Sequence, residues 1–71
     1  MEILVFKTNI RYPKHINSIA PHLQSVDGIK QWNVDLKDRD KILRIEAINV
    51  IPASIESLLG GAGYYCEELL D

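Results

Sequence analysis

The hydrophobic positions of this chain recur with two different periods, and the periods mark where strands and helices lie. Residues 2–7 are apolar at four consecutive positions, which indicates a central strand covered on both faces. Residues 31–36 and 42–48 alternate between apolar and polar, which is typical of strands with one buried and one wet face. The charged segment 37–41 joins them, so these two strands are predicted to form a hairpin.

The segment between the first two strands follows a helical period instead. Its apolar residues recur at spacings of three and four: Ile16, Ile19, Leu23 and Val26. Pro13 suits the first turn of such a helix, and Asp27-Gly28 is predicted to end it.

Pro21 interrupts this pattern, because a proline inside a helix removes one hydrogen bond and crowds the preceding turn. We expect a kink or a loosened first half if the helix begins at Pro13. The alternative is a helix that begins near Asn17 or Ser18 and keeps Pro21 in its first turns. The apolar spacing favours the longer helix.

A second helix is predicted to begin at Pro52. Its apolar side consists of Ile55, Leu58, Leu59 and Ala62. The glycines that crowd its end, as breakers and caps, are Gly60, Gly61 and Gly63. A last short strand follows in residues 64–69.

The order strand, helix, strand, strand, helix, strand predicts an α+β fold of the ferredoxin-like βαββαβ type. Four antiparallel strands would lie in the order 4-1-3-2, with both helices on one face. Because the helices cover one face only, either Ile3 and Val5 or Leu4 and Phe6 must point to the open face. We expect residues 1–71 to form a single domain, since a chain of this length has room for one core.

Composition excludes several classes of function. One cysteine, Cys66, cannot form an internal disulfide or a cysteine zinc cluster. The net charge of −2, with acids and bases mixed along the chain, gives no footprint for nucleic acid. Without a basic leader or a long apolar run, we expect a cytoplasmic protein with no membrane segment.

The spacing between several residues matches the motifs of a known family. They are Ile19 and Leu23 in the first helix, Gly28-Ile29 before the second strand and Ala62-Gly63-Tyr64 before the last. Over nearly its whole length the chain resembles the heavy-metal-associated domain of copper chaperones and copper-transporting ATPases. That family carries a G-M-x-C-x-x-C loop after its first strand, and the resemblance implies metal handling through its two cysteines.

Both cysteine positions are substituted in this chain. Counting back from Ile19 puts His15 at the second cysteine position, Tyr12 at the first and Ile10 at the methionine position. Tyrosine offers a hard oxygen where copper(I) prefers soft thiolates, and one histidine alone does not make a site. We therefore expect no cofactor and no dedicated metal site, with adventitious zinc or copper at His15 as the remaining possibility.

We expect structural roles for most of the tyrosine, histidine, tryptophan and cysteine side chains that could otherwise indicate a binding site. We expect Tyr12 and His15 to be exposed loop residues or to make a capping contact at the start of the helix. His22 is expected at the surface. Trp32 and Cys66 are expected to pack against the core.

The leading hypothesis is a non-enzymatic module that binds a protein partner or itself, because no catalytic constellation can be assembled from the residues. The contact surface would be the open sheet face or the former metal loop, where we expect Ile10, Arg11, Tyr12, Lys14, His15 and Tyr64. The alternative is a zinc or copper transport protein with a rebuilt site. There, His15 and a residue of a second subunit, with or without Cys66, would complete the coordination.

Overall fold

The computed structural model, which describes residues 1–70, contains the six predicted elements in the predicted order. They are β1 (Glu2–Thr8), α1 (Pro13–Gln24), β2 (Ile29–Asp35), β3 (Ile42–Ala47), α2 (Pro52–Gly61) and β4 (Cys66–Glu68).

The four strands form one antiparallel sheet in the order β2-β3-β1-β4. This is the predicted order 4-1-3-2 viewed from the other edge. The ferredoxin-like arrangement is therefore confirmed, and β1 is a central strand, as its consecutive apolar residues indicated.

The core lies between the sheet and the two helices. Leu4 and Phe6 of β1 point into it, and Phe6 is fully buried. Each helix contributes two buried side chains that lie one turn apart. These are Ile19 and Leu23 in α1, and Ile55 and Leu59 in α2. These side chains share one cluster, so both helices cover the same face of the sheet.

Ile3 and Val5 point to the open face of the sheet. Ile3 is 44% exposed, and Val5 lies opposite Arg44 of β3. The Leu69 N–H donates to the Val5 carbonyl oxygen at 2.8 Å, which brings a third apolar side chain beside these two. A small apolar patch thus sits on a face that is otherwise polar and charged.

Helix α1 begins at Pro13, so the longer of the two predicted helices is the one that forms. It continues through Pro21, which lies on the exposed side of the helix, and ends at Gln24. The prediction that Asp27-Gly28 ends the helix is wrong by three residues. Ser25 closes the last turn instead, because its N–H and its hydroxyl both donate to the His22 carbonyl oxygen.

The predicted hairpin of β2 and β3 is present, with Trp32 directly opposite Ile45. Trp32 is half-buried and packs against the core, as expected. The ladder is irregular between Ile29 and Gln31, where a bulge at Lys30 interrupts the pairing at this edge.

Strand β4 is shorter than the predicted segment 64–69. The Tyr64 N–H donates to the Leu59 carbonyl oxygen at 2.9 Å and thereby closes the end of α2. The Tyr65 N–H donates to the side chain of Asn9 at 2.9 Å. Since both amides bond outside the ladder, regular pairing starts only at Cys66.

Neither helix in residues 1–70 is long and apolar enough to cross a membrane.

Replacing Gly28 by alanine is expected to destabilise the fold more than the same change at Gly63. Both glycines have positive φ, +100° and +94°, so alanine is strained at each position. At Gly28 the added carbon would lie 2.4 Å from the Ile48 carbonyl oxygen, whereas no atom of the described residues lies within 4 Å at Gly63. We expect losses of roughly 3 and about 1 kcal/mol respectively in urea unfolding. Equal losses would contradict the importance of this close backbone approach.

Candidate functional site at the loop end

Three loops meet at the end of the sheet where β1 finishes, and we call this region the loop end. They are residues 9–12 between β1 and α1, residues 36–41 between β2 and β3, and residues 62–65 between α2 and β4. The Asn9 side chain accepts the Tyr65 N–H at 2.9 Å, and the Thr8 N–H donates to the Asp40 carbonyl oxygen at 3.1 Å. The first loop is therefore tied to both of the others.

Thr8 is the buried polar residue that holds this arrangement. Its hydroxyl donates to the Lys41 carbonyl oxygen and accepts the Ile10 N–H at 3.2 Å. The Ile10 side chain is fully buried in the core. Its prediction as a partner-binding residue is corrected accordingly: Ile10 anchors the loop from below and presents no side-chain surface to a partner.

An aromatic cluster lies at the start of α1. The His15 ring is half-buried between Tyr12 and Tyr64, with ring centroids 5.2 and 5.4 Å away. His15 Nδ1 accepts the Arg11 N–H at 3.2 Å, which assigns the proton of the neutral ring to Nε2. Lys14 Nζ lies 5.8 Å from the centroid of the Tyr12 ring, within cation–π range.

The cluster brings together five of the six predicted contact residues, all except Ile10. Tyr12 immediately precedes the helix and is 54% exposed. The His15 side chain contacts the loop backbone at Arg11, which lies before the N-cap residue Tyr12, and the Tyr12 side chain makes no cap hydrogen bond. We call the five residues the aromatic–cationic surface: Arg11, Tyr12, Lys14, His15 and Tyr64.

The donor atoms in this region do not form a set that suits a copper or zinc ion. In this arrangement His15 has no free lone pair for a metal, because Nδ1 accepts the Arg11 N–H and Nε2 carries the proton. Cys66 lies opposite Thr8, and burial, with a smaller contribution from Glu56, raises the pKa of its thiol from 9.0 to about 12. A thiol that keeps its proton is a poor soft ligand. In the part of the chain that the structure describes, no three His, Cys, Asp or Glu side chains are grouped to hold an ion.

The comparisons with known proteins identify the fold. No protein-family model and no curated protein matches the sequence. Among solved structures, the yeast copper transporter domain Ccc2a is similar over 100% of this chain and 99% of its own, with 19% identity and a TM-score of 0.85. The N-terminal domain of ZntA in its Zn(II) form is similar over 93% and 89%, with 22% identity and a TM-score of 0.79.

This chain has the fold of a heavy-metal-associated domain. The first domain of the human copper chaperone for SOD1, in its copper(I)-loaded form, is a third similar structure, with 20% identity over 93% of this chain and 89% of its own and a TM-score of 0.77. The structural similarity establishes the fold. At identities of 19–22%, metal binding by this chain has to be judged from its own residues. The chain contains one cysteine, which is consistent with the expected degenerate metal site on this fold.

Thr8 and Asn9 are structural residues of the site that the hydrophobic pattern did not reveal. Each is a polar residue at the end of an apolar strand. Polar residues are common at such positions, so the sequence alone did not indicate a structural role for these two. Their roles depend on partners 33 and 56 residues away, Lys41 and Tyr65. Only the folded chain brings these pairs together.

Replacing Thr8 by valine is expected to lower the free energy of unfolding by about 1–3 kcal/mol, because one buried and one partly buried backbone group lose their partner. These groups are the Lys41 carbonyl and the Ile10 N–H. Thr8→Ser keeps the hydroxyl and should retain most of the stability in the same chemical denaturation experiment. A serine variant as unstable as the valine variant would contradict the role of the hydroxyl.

Cys66 is expected to react much more slowly with a thiol-directed dye in the folded protein than in guanidinium chloride at about pH 8, near the ordinary pKa of a thiol.

The raised pKa of Cys66 also couples folding to pH. As pH rises above 9.0 toward about 12, the thiol of the unfolded chain loses its proton, whereas the thiol of the folded chain keeps it. Stability should therefore fall with rising alkalinity. Cys66→Ala should lack this part of the decline, and an unchanged pH profile would contradict the assignment.

Proposed function

We propose that this chain is a non-enzymatic protein-binding module whose contact surface is the aromatic–cationic surface at the loop end. One observation carries the proposal: the two positions that hold metal-binding cysteines in the family it resembles are occupied here by Tyr12 and His15, whose rings pack together and, through His15, against Tyr64. The nearby donor atoms do not suit a metal ion, because the only ring lone pair of His15 accepts the Arg11 N–H and the raised pKa keeps the Cys66 thiol protonated.

The composition of this surface is that of a protein interface. Tyrosine and arginine are enriched where proteins meet, since they combine large apolar area with polar groups. The cluster is also ordered in advance: ring contacts hold Tyr12 and Tyr64 against His15, and the Arg11 N–H holds His15. Side chains that are already ordered cost less entropy when a partner binds.

Similar folds support a role in protein contacts. A structure of the Atx1–Cu(I)–Ccc2a complex is similar to this chain over 100% of its length, with a TM-score of 0.84. There, the copper ion is part of the complex. We infer that this chain also binds a protein partner and that it does so through its own side chains at the loop end.

A depression of about 460 Å³ lies on the open sheet face beside the β2–β3 loop, and its lining residues give little support for catalysis. Its lining consists of Asn33, Val34, Asp35, Asp38, Ile42 and Arg44. It contains neither histidine nor cysteine, and it is separate from the aromatic–cationic surface.

Copper(I) is expected not to form a stoichiometric submicromolar complex with the chain in calorimetric titration against a competing chelator. The double variant Tyr12→Cys/His15→Cys serves as the positive control, because it restores thiol ligands at the start of α1 and should take up copper(I). A tight complex of the unmodified chain that His15→Ala abolishes would overturn the proposal. It would favour the rebuilt metal site instead.

A partner cross-linked from a lysate of the source organism is expected to be lost with Tyr12→Ala/Lys14→Ala. The control variant Ile3→Ala/Leu69→Ala alters the apolar patch of the open sheet face and should retain that partner. Quantitative mass spectrometry of the cross-linked proteins measures the difference. Loss with the open-face variant alone would assign binding to the sheet face, and no difference between the loop variant and the unmodified chain would refute the proposed surface.

A further inference from the structure

Two neighbouring rows of side chains cross the open face of the sheet. The alternate residues of β3 are fully buried, so Arg44 and Glu46 point away from the helices. In the ladder, Val5 of β1 lies opposite Arg44, and Ile3 lies opposite Glu46. Each row therefore holds one charged side chain beside one aliphatic side chain, and the two charges have opposite signs.

Strand β2 extends both rows with an amide. Asn33 lies opposite Arg44 and Gln31 lies opposite Glu46, and both amide residues are exposed. We call Asn33, Arg44 and Val5 the first row, and Gln31, Glu46 and Ile3 the second row. From β2 to β1 both rows run amide, charge, aliphatic group, so they differ in chemical type only by the sign of the charge.

We infer that a second copy of this chain covers the open face, about a two-fold axis that runs across the strands between the two rows. The rotation lays the first row of each copy over the second row of the other. Arg44 then faces Glu46 of the second copy, and the same contact recurs on the other side of the axis. A two-fold interface has to be complementary to itself, and these two rows meet that condition.

Aliphatic side chains supply the attraction in this contact. Val5 faces Ile3 of the second copy, and Ile3, which is 44% exposed, is removed from water. Leu69 is 39% exposed and lies beside Val5, where its N–H donates to the Val5 carbonyl oxygen at 2.8 Å. The charge pairs then determine how the two copies are aligned.

The charge pattern favours this axis over a two-fold axis parallel to the strands. Such an axis, between β3 and β1, would lay Arg44 over Val5 and Glu46 over Ile3 of the second copy. Four charges would then lose water without gaining an opposite charge, which costs free energy. The axis across the strands avoids that cost.

The size of the face predicts a weak dimer. Four strands about 4.8 Å apart, with up to seven residues of about 3.3 Å each, give a face on the order of 400 Å². That area is below the roughly 800 Å² per partner of a standard interface, so we expect a dissociation constant of about 0.1–1 mM.

The dimer leaves the loop end free. The strands of the two copies run antiparallel across the contact, so the two loop ends point away from each other. The two rows contain no residue of the loop end. Self-association through the open face is therefore independent of the proposed function, and either can fail without the other.

Sedimentation equilibrium of the unmodified chain, from about 0.02 to about 2 mM, tests whether the dimer forms. The average mass should rise from that of the monomer toward twice that value. NMR shift changes over the same dilution series should map to residues 3–5, 31–33 and 44–46 and to Leu69. A mass that stays monomeric, or shift changes that map to the loop end or the helices, would overturn the inference.

Reversal of one charge at a time tests the axis. Arg44→Glu and Glu46→Arg should each weaken the dimer by at least about tenfold, because each places like charges opposite each other at both contacts. The exchange Arg44→Glu/Glu46→Arg restores opposite charges under the same rotation, and it should dimerise within about threefold of the unmodified chain. An exchange variant as weak as the single variants would show that the axis is wrong.

A mixture of the two single variants gives an independent test. One variant carries acids at both positions and the other carries bases, so together they should form a heterodimer at concentrations where each alone is monomeric. Lys37→Glu changes the net charge as much as Arg44→Glu does, at an exposed loop residue away from the rows, and should alter dimerisation by less than about twofold. Thermal unfolding checks that every variant folds. Absence of the heterodimer, or equal weakening by Lys37→Glu and Arg44→Glu, would contradict the inference.

The open-face variant of the cross-linking experiment separates a second copy from a different occupant. If the chain stays monomeric while Ile3→Ala/Leu69→Ala loses a cross-linked protein, that protein covers the open face and the inference fails.

Discussion

Phe6 of β1 lies directly opposite Leu43 of β3 at the centre of the sheet, and both side chains are fully buried beneath the helices. A chain of 71 residues has space for one such layer, so every other feature depends on it. The alternation along β1 sends Leu4 and Phe6 into this layer, which leaves Ile3 and Val5 on the open face. The end of β1 also determines where the first loop leaves the sheet, and hence where the candidate site lies.

At that point the fold presents a helix start, a position suited to ionised thiols and, through them, to soft metal ions. Tyr12 and His15 change what this position can do. Their rings pack together and against Tyr64, and the free nitrogen acceptor of His15 is used by the loop backbone. This geometry is the basis for the proposal that the chain recognises a partner by surface contact in place of metal coordination.

The sequence by itself determined the order of elements, the sheet topology and most of the core, because periods of two and 3.6 residues reflect which side of a strand or helix is buried. Its resemblance to the heavy-metal-associated domain also implies, through the spacing to Ile19, that Tyr12 and His15 stand where that family has its metal ligands. The ends of elements were less predictable: α1 closes at Ser25 before Gly28, and β4 begins late, because single hydrogen bonds decide these points.

Tertiary structure alone decided which distant residues meet. The bonds from Thr8 to Lys41 and from Tyr65 to Asn9 join residues far apart in the chain, and the burial of Ile10 depends on the core that the whole fold builds. A local pattern reports only on neighbours within a few turns or strand repeats. Pairings across 33 or 56 residues are set by how the sheet closes, which is a property of the whole fold.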